Sequence, residues 1–183
     1  EDLRGRPFLP ASVDGAEFEV GRNLAGTPGA VVCGPEVFEL LQYEPTTRTT
    51  YETPLLCSPP WINKYYVMDL APDRSFIEWM VQHGRTVFAI SYINPSKDMS
   101  GTTMDDYLVK GPRAAMDVIS DITGAEKIDF VGLCLGGALT MMTATYLDEA
   151  GAAGRHTSYR YLLRRSDDDR LGIQVVIDTT PQP

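Results

Sequence analysis

The sequence predicts an α/β fold, a mostly parallel sheet with helices on both faces, and one that holds only part of its strands. Three observations lead there. Short apolar runs at residues 54–57, 86–90 and 127–131 alternate with helix-like stretches, and strands that are apolar throughout are buried on both faces. The order strand–helix–strand–helix–strand–helix is that of parallel strands joined by crossover helices. Finally, Gly132-Leu133-Cys134-Leu135-Gly136-Gly137 stands where the last of these strands turns into a helix-like segment at 138–147.

Each element has its own signal. Residues 1–30 read as an irregular arm, because Pro7, Pro10, Pro28 and the glycines at 5, 15, 21, 26 and 29 interrupt any periodic pattern. Residues 31–43 are expected to carry a strand and then a short helix over 36–41. Thr46-Thr47-Arg48-Thr49-Thr50-Tyr51 has strong β propensity and is expected to be an outer strand. Residues 1–50 would thus be an arm with an outer strand, and 51–150 the first half of the α/β domain. Residues 54–57 read as a central strand that stops at Ser58-Pro59-Pro60 and feeds a loop through Tyr66. Ser75 opens a helix whose apolar positions Phe76, Ile77, Met80 and Val81 follow helical spacing, and Gly84 ends it. A second buried strand covers 86–90, and a loop around Asn94-Pro95 follows. Thr103 and Asp106 mark a capped helix start, with a kink expected at Gly111-Pro112 and an end at Thr123-Gly124. After Gly151, arginines at 155, 160, 164, 165 and 170 alternate with Asp167-Asp168-Asp169. Residues 151–183 are therefore expected to form an exposed, partly ordered tail in which only 173–177 looks strand-like.

The turn around Cys134 is where chemistry is expected. A Gly-x-nucleophile-x-Gly turn between strand and helix is the nucleophile elbow of α/β-hydrolases, here with Cys for the usual Ser. The turn forces unfavourable backbone angles on the nucleophile, and its neighbours must be small for strand and helix to close up; Gly132, Gly136 and Gly137 provide that room. The helix N-terminus behind Cys134 favours thiolate, and the Leu135 N–H is offered to a developing oxyanion. Against this stands inert packing, the commoner role of a cysteine among apolar residues.

Composition narrows the partners. The 183 residues are 43% apolar and 22% charged, ordinary for a globular domain long enough to bury a core. A net charge of −9 argues against nucleic acid. No apolar run reaches the length of a membrane span. Cys33, Cys57 and Cys134 are widely spaced, without disulfide or metal-ligand pairing, so no metal site is expected and a cytoplasmic location fits. The chain opens on Glu1 rather than Met and reads as a piece of something longer.

Five blocks carry a family likeness: Gly21-Arg22-Asn23-Leu24-Ala25, Pro59-Pro60-Trp61-Ile62-Asn63-Lys64-Tyr65-Tyr66, Ser91-Tyr92-x-Asn94-Pro95, Gly101-Thr102-Thr103-Met104-Asp105-Asp106-Tyr107, and the elbow itself. In this order they resemble the polyhydroxyalkanoate synthases, acyltransferases that polymerise 3-hydroxyacyl-CoA into storage polyester. The likeness runs from about residue 17 to 148, which is most of the chain. It implies an α/β-hydrolase-like fold, Cys134 as the nucleophile carrying the growing polyester, and release of CoA from the 3-hydroxyacyl-CoA substrate without a further cofactor. It also implies a homodimer and association with the polyester granule surface. Two oxyanion donors would be the backbone N–H groups of Leu135 and of Ile62 in the loop after the first central strand. A cysteine suits such chemistry because exchange of one thioester for another is nearly isoenergetic and leaves the acyl group activated.

The family's His base and Asp lie well downstream of the cysteine. No matching positions exist among the 49 residues after Cys134, so the chain reads as truncated or altered in frame before them. Ile93 and Ser96 also depart from the family's pattern. His83, at a helix C-terminus ahead of the elbow, is expected to be structural, and His156 comes only 22 residues after Cys134, too early for the base. Asp105 and Asp106 read as first-turn helix acids rather than a carboxylate pair. Trp61, Tyr65 and Tyr66 are expected to be half-buried or to line an acyl channel, and Lys64 and Arg74 to be surface charges or CoA phosphate contacts. Met104, Met116, Met141 and Met142 are expected in the core, with Cys33 and Cys57 as buried free thiols. Two other functions stay open: a non-catalytic fragment binding a full synthase or a granule, and a Cys-elbow hydrolase of small esters or lactones.

Overall fold

The computed structural model describes residues 15–34 and 37–150, together with the backbone of residues 159–165 and 171–177. Within these, one sheet contains β1 (Gly29–Cys33), β2 (Phe38–Tyr43), β3 (Leu55–Ser58), β4 (Val87–Tyr92), β5 (Asp129–Gly132), β6 (Tyr159–Arg165) and β7 (Leu171–Ile177), in the order β1-β2-β4-β3-β5-β7-β6. The centre is parallel: Leu56 stands opposite Phe88 of β4 on one side and Phe130 of β5 on the other. The connections are α1 (Phe76–Gln82), then α2 (Met104–Leu108) and α3 (Ala114–Thr123), and α4 (Leu135–Glu149) follows β5. Antiparallel β2 flanking the parallel core β4-β3-β5, with a sharp turn after β5, is the arrangement of an α/β-hydrolase sheet, present here in part.

Both faces of the sheet are covered, and strand alternation decides which residues go where. Leu56, Phe88, Ile90 and Phe130 join Ala115, Met116 and Ile119 of α3 and Leu139 and Leu147 of α4 in one core. Leu55, Cys57, Val87 and Ala89 point the other way, onto Ile77 and Val81 of α1. Helix starts follow local chemistry. The Ser75 hydroxyl accepts the Glu78 N–H at 2.9 Å, and Gly84, at φ +79, turns the chain out of the helix. Thr103 and Asp106 form a full capping box. Between α2 and α3 the chain takes a π-helical turn, Val109–Arg113, in which Pro112 cannot donate and Gly111 leaves helical angles at φ −101, ψ −112.

Several expectations give way. Of the helix expected over residues 36–41, residue 36 lies outside the described residues and residues 38–41 belong to strand β2. Phe38 and Leu40 are buried, and antiparallel pairing with β4 decides the conformation. Residues 46–51 form no strand. The Thr47 hydroxyl donates to the Thr49 carbonyl and the Thr46 hydroxyl to that of Val81, satisfying local groups that a ladder would otherwise use. The edge strand is β1, which begins within the segment read as an arm. In the tail, β6 and β7 form an antiparallel hairpin on β5, where only residues 173–177 were expected to be extended. Cys33 is half-buried rather than enclosed, and Met104 and Met142 are exposed, while Met116 is in the core as expected.

Candidate active site

Cys134 sits at the end of β5 with φ 54 and ψ −122, a conformation that costs a non-glycine residue about 1–3 kcal/mol. The close approach of strand and helix enforces it. A Cβ at Gly132 would come within 2.4 Å of the Gly137 Cα, and one at Gly136 within 2.0 Å of the Ser58 carbonyl oxygen. At Gly137 the Gly132 carbonyl oxygen would stand at 3.2 Å, so this glycine is the least demanding of the three. The turn is closed by Gly136 N–H to Leu133 O at 2.9 Å and Gly137 N–H to Cys134 O at 3.0 Å. Cys134 is exposed, whereas Cys57 is wholly enclosed and its thiol is pushed up to about 12 by burial. Of the two, only Cys134 is placed to react.

Leu135 is the first residue of α4, so its N–H has no carbonyl one turn back within the helix. The second expected donor, Ile62, lies in the loop after β3. That loop starts against the elbow, where Ser58 O accepts the Leu133 N–H at 3.1 Å, and it turns through a hydrogen bond from Asn63 N–H to Pro60 O at 3.0 Å. Ile62 itself is exposed. The far end is tied down by a hydrogen bond from Lys64 Nζ to Asn94 Oδ1. Lys64 thus acts between two loops, while Trp61, Tyr65 and Tyr66 are half-buried beside it.

The histidines separate clearly. His83 caps the C-terminus of α1, its ring stacked on Trp79 at 4.0 Å with Nδ1 2.7 Å from the Trp79 carbonyl oxygen. It precedes β4 and so stands at the N-terminal edge of the parallel strands, a strand length (about 20 Å) from the elbow at their C-terminal edge. His156 lies outside the described residues. Asp106 works on its own helix, bonding to Thr103 and pairing with Lys110 at 3.2 Å. The Thr103 N–H, then its hydroxyl and Lys110, hold the carboxyl down at about 2.

Sequence reasoning missed a pair of hydroxyls beneath the elbow. Ser58 Oγ and Tyr92 OH are both enclosed, and neither makes a hydrogen bond of ordinary geometry, although the serine lies close enough to partner the phenol. Burial pushes the ionisation of Tyr92 up. Alternation along β3 would have placed Ser58 on the face of Leu56, beneath α4, and this was the available signal.

A sequence profile described as poly-beta-hydroxybutyrate polymerase (PhaC) N-terminus matches residues 1–80. The poly(3-hydroxyalkanoate) polymerase subunit of Cupriavidus necator is 44% identical over 146 residues, 80% of this chain and 24% of its own. That of Rhizobium meliloti is 43% identical over 130 residues, 71% of this chain and 21% of its own. The chain belongs to the polyhydroxyalkanoate polymerase family. A third such polymerase, from Ectopseudomonas oleovorans, is 36% identical and matches 91% of this chain and 30% of its own length. The chain therefore spans about a quarter of the curated relatives it matches. Among solved structures, an epoxide hydrolase from Vigna radiata overlays 78% of this chain and 41% of its own at 12% identity and a TM-score of 0.46. An alpha/beta hydrolase from Novosphingobium aromaticivorans overlays 66% and 38% at 19% identity and a TM-score of 0.39. Overlaps this loose leave the fold resting on the strand order and the elbow. Among the described residues no helix is long and apolar enough to cross a membrane.

Proposed function

We propose that this chain carries the nucleophile and oxyanion site of a polyhydroxyalkanoate synthase, and that Cys134 accepts the acyl group of a 3-hydroxyacyl-CoA. The observation that carries this reading is an exposed cysteine held at φ 54 between a strand and a helix N-terminus, in a chain 44% identical to a named polymerase. In the reaction, Cys134 Sγ bonds to the thioester carbonyl carbon and the bond to the CoA sulfur breaks. The proton lost by Cys134 ends on the CoA thiol. The charge developing on the carbonyl oxygen is met by the N–H groups of Leu135 and Ile62. The 3-hydroxyl oxygen of the next unit then bonds to the acyl carbon, the bond from that carbon to Cys134 Sγ breaks, and the hydroxyl proton ends on Sγ, which extends the polyester and frees the thiol.

No His or Asp among the described residues is assigned as a partner of Cys134, so turnover requires groups beyond this set, whereas a single acylation requires only the elbow. Dimerisation and seating on the polyester granule belong to the same proposal. The test is intact mass after incubation with 3-hydroxybutyryl-CoA, with Cys134→Ala beside it. One added 3-hydroxybutyryl group, absent from the variant, is the expected result. Absence of any adduct would sink the acyl-transfer reading and favour a fragment that binds a full synthase.

A further inference from the structure

The N–H proposed for the oxyanion at Ile62 sits on an exposed loop residue, so something else must hold the loop in place. A closed path of contacts runs from the base of the loop back into it. At the base of the loop, Ser58 is fixed to the elbow by its carbonyl, which accepts the Leu133 N–H at 3.1 Å. Its side chain is enclosed next to Tyr92 at the end of β4. The Tyr92 ring lies 5.8 Å from that of Tyr107 on α2, and Tyr107 lies 5.5 Å from Trp61. Trp61 is back in the loop, three residues after Ser58 and next to Ile62. Ring centroids at these separations are in attractive contact. The π-helical turn packs beside the path, where a Cβ at Gly111 would be at ordinary contact distance from the Tyr92 ring.

We propose that Ser58, Tyr92, Tyr107 and Trp61 form a clip that holds the loop bearing Ile62 against Cys134, and that they are positioning residues for acyl transfer. The two enclosed hydroxyls, Ser58 Oγ and Tyr92 OH, lie together without an ordinary hydrogen bond, and their enclosure side by side marks one end of the clip, since enclosed polar groups without partners are rare. The three rings fasten the other end. None of the four touches the reacting atoms. Their effect is on where the Ile62 N–H points, and a donor displaced by an ångström loses most of its value. The use made of the clip rests on the acyl-transfer reading above; its existence does not.

Two readouts separate these. Iodoacetamide alkylates Cys134 without forming an oxyanion, whereas 3-hydroxybutyryl-CoA acylates it through one. In Tyr107→Ala and Tyr92→Phe, acylation should slow by about 10- to 100-fold while alkylation stays unchanged, and Tyr107→Phe should restore acylation. In parallel, with Trp79→Phe as background, Trp61 is the sole tryptophan, and its quenching by acrylamide should rise in Tyr107→Ala. Unchanged quenching would overturn the clip. Acylation and alkylation falling together would reduce its members to general fold support. A parent chain that is never acylated would defeat the acyl-transfer reading, and quenching alone would then decide the clip.

Discussion

The two ends of the parallel strands are built differently. At the N-terminal edge, Arg85 ahead of β4 pairs with Asp129 at the start of β5, and its guanidinium lies over the Tyr51 ring at 5.6 Å. His83 nearby is stacked and hydrogen-bonded. These charged and polar groups have partners, and the backbone beside them turns at a glycine. At the C-terminal edge, Cys134 holds a glycine's conformation, backbone atoms meet at distances only glycine allows, and two enclosed hydroxyls lack ordinary hydrogen bonds. One edge is relaxed and the other strained. Strain that the surrounding structure maintains collects where chemistry is done, and open α/β sheets place their sites at the carboxyl ends of their strands.

The sharpest way to break this contrast is at Gly136. Alanine there would drive a methyl group into the Ser58 carbonyl, with backbone on both sides and no flexible side chain to yield. Gly136→Ala should lose about 4 kcal/mol or more, or fail to fold. Gly101→Ala, with nothing within 4 Å of its new Cβ, should stay within about 0.5 kcal/mol of the parent. Urea unfolding of the pair measures the difference. Equal midpoints would mean that the elbow is not tight.

The strain itself is read from two replacements of one residue. Cys134→Gly and Cys134→Ala both delete the thiol, but only glycine accepts φ 54 without penalty. The glycine variant should be more stable than the alanine variant by about 1–2 kcal/mol. If alanine matches glycine, the backbone at Cys134 is not under strain and the contrast between the edges weakens.

At the relaxed edge, Arg85→Gln should cost about 1 kcal/mol. Both partners are about four-fifths buried, with side chains 21% and 24% exposed, so solvent screens the pair only in part. The rate at which iodoacetamide alkylates Cys134 should not change. A slower rate would show that the two edges are coupled through β5.

What the sequence made legible was what is local. The glycines around Cys134, the cap at Ser75, the capping box at Thr103 and the break at Gly111-Pro112 each depend on neighbours a few residues away, and each formed as expected. Three apolar runs were enough to predict a parallel core. The failures were non-local. Residues 38–41 carry helix-compatible side chains and lie in β2 because β4 offers an edge to pair with. Residues 46–51 have the propensity of a strand, but the edge they would need is taken by β1. The meeting of Ser58, Tyr92, Tyr107 and Trp61 depends on the register of two strands and the bend of a helix, and no single stretch encodes it. His83 was placed at a helix C-terminus correctly because the helix end is a local matter as well.

The smallest expected effect tests whether α2 is set by its cap. The Asp106 carboxyl is held at about 2, below its ordinary 3.8, chiefly by the Thr103 N–H and then by the Thr103 hydroxyl and Lys110. A carboxyl whose folded value is depressed stabilises fully above its unfolded value and loses that contribution as the pH falls through the folded one. The parent chain should therefore melt above Asp106→Asn at pH 6, keep that lead down to about pH 4, and lose it by about pH 2. Thermal melts of both chains across this range measure the gap. A gap that persists at pH 2 would assign the effect of Asp106 to packing rather than charge. It would also release Tyr107, one residue on, from dependence on the capping box for its place between Trp61 and Tyr92.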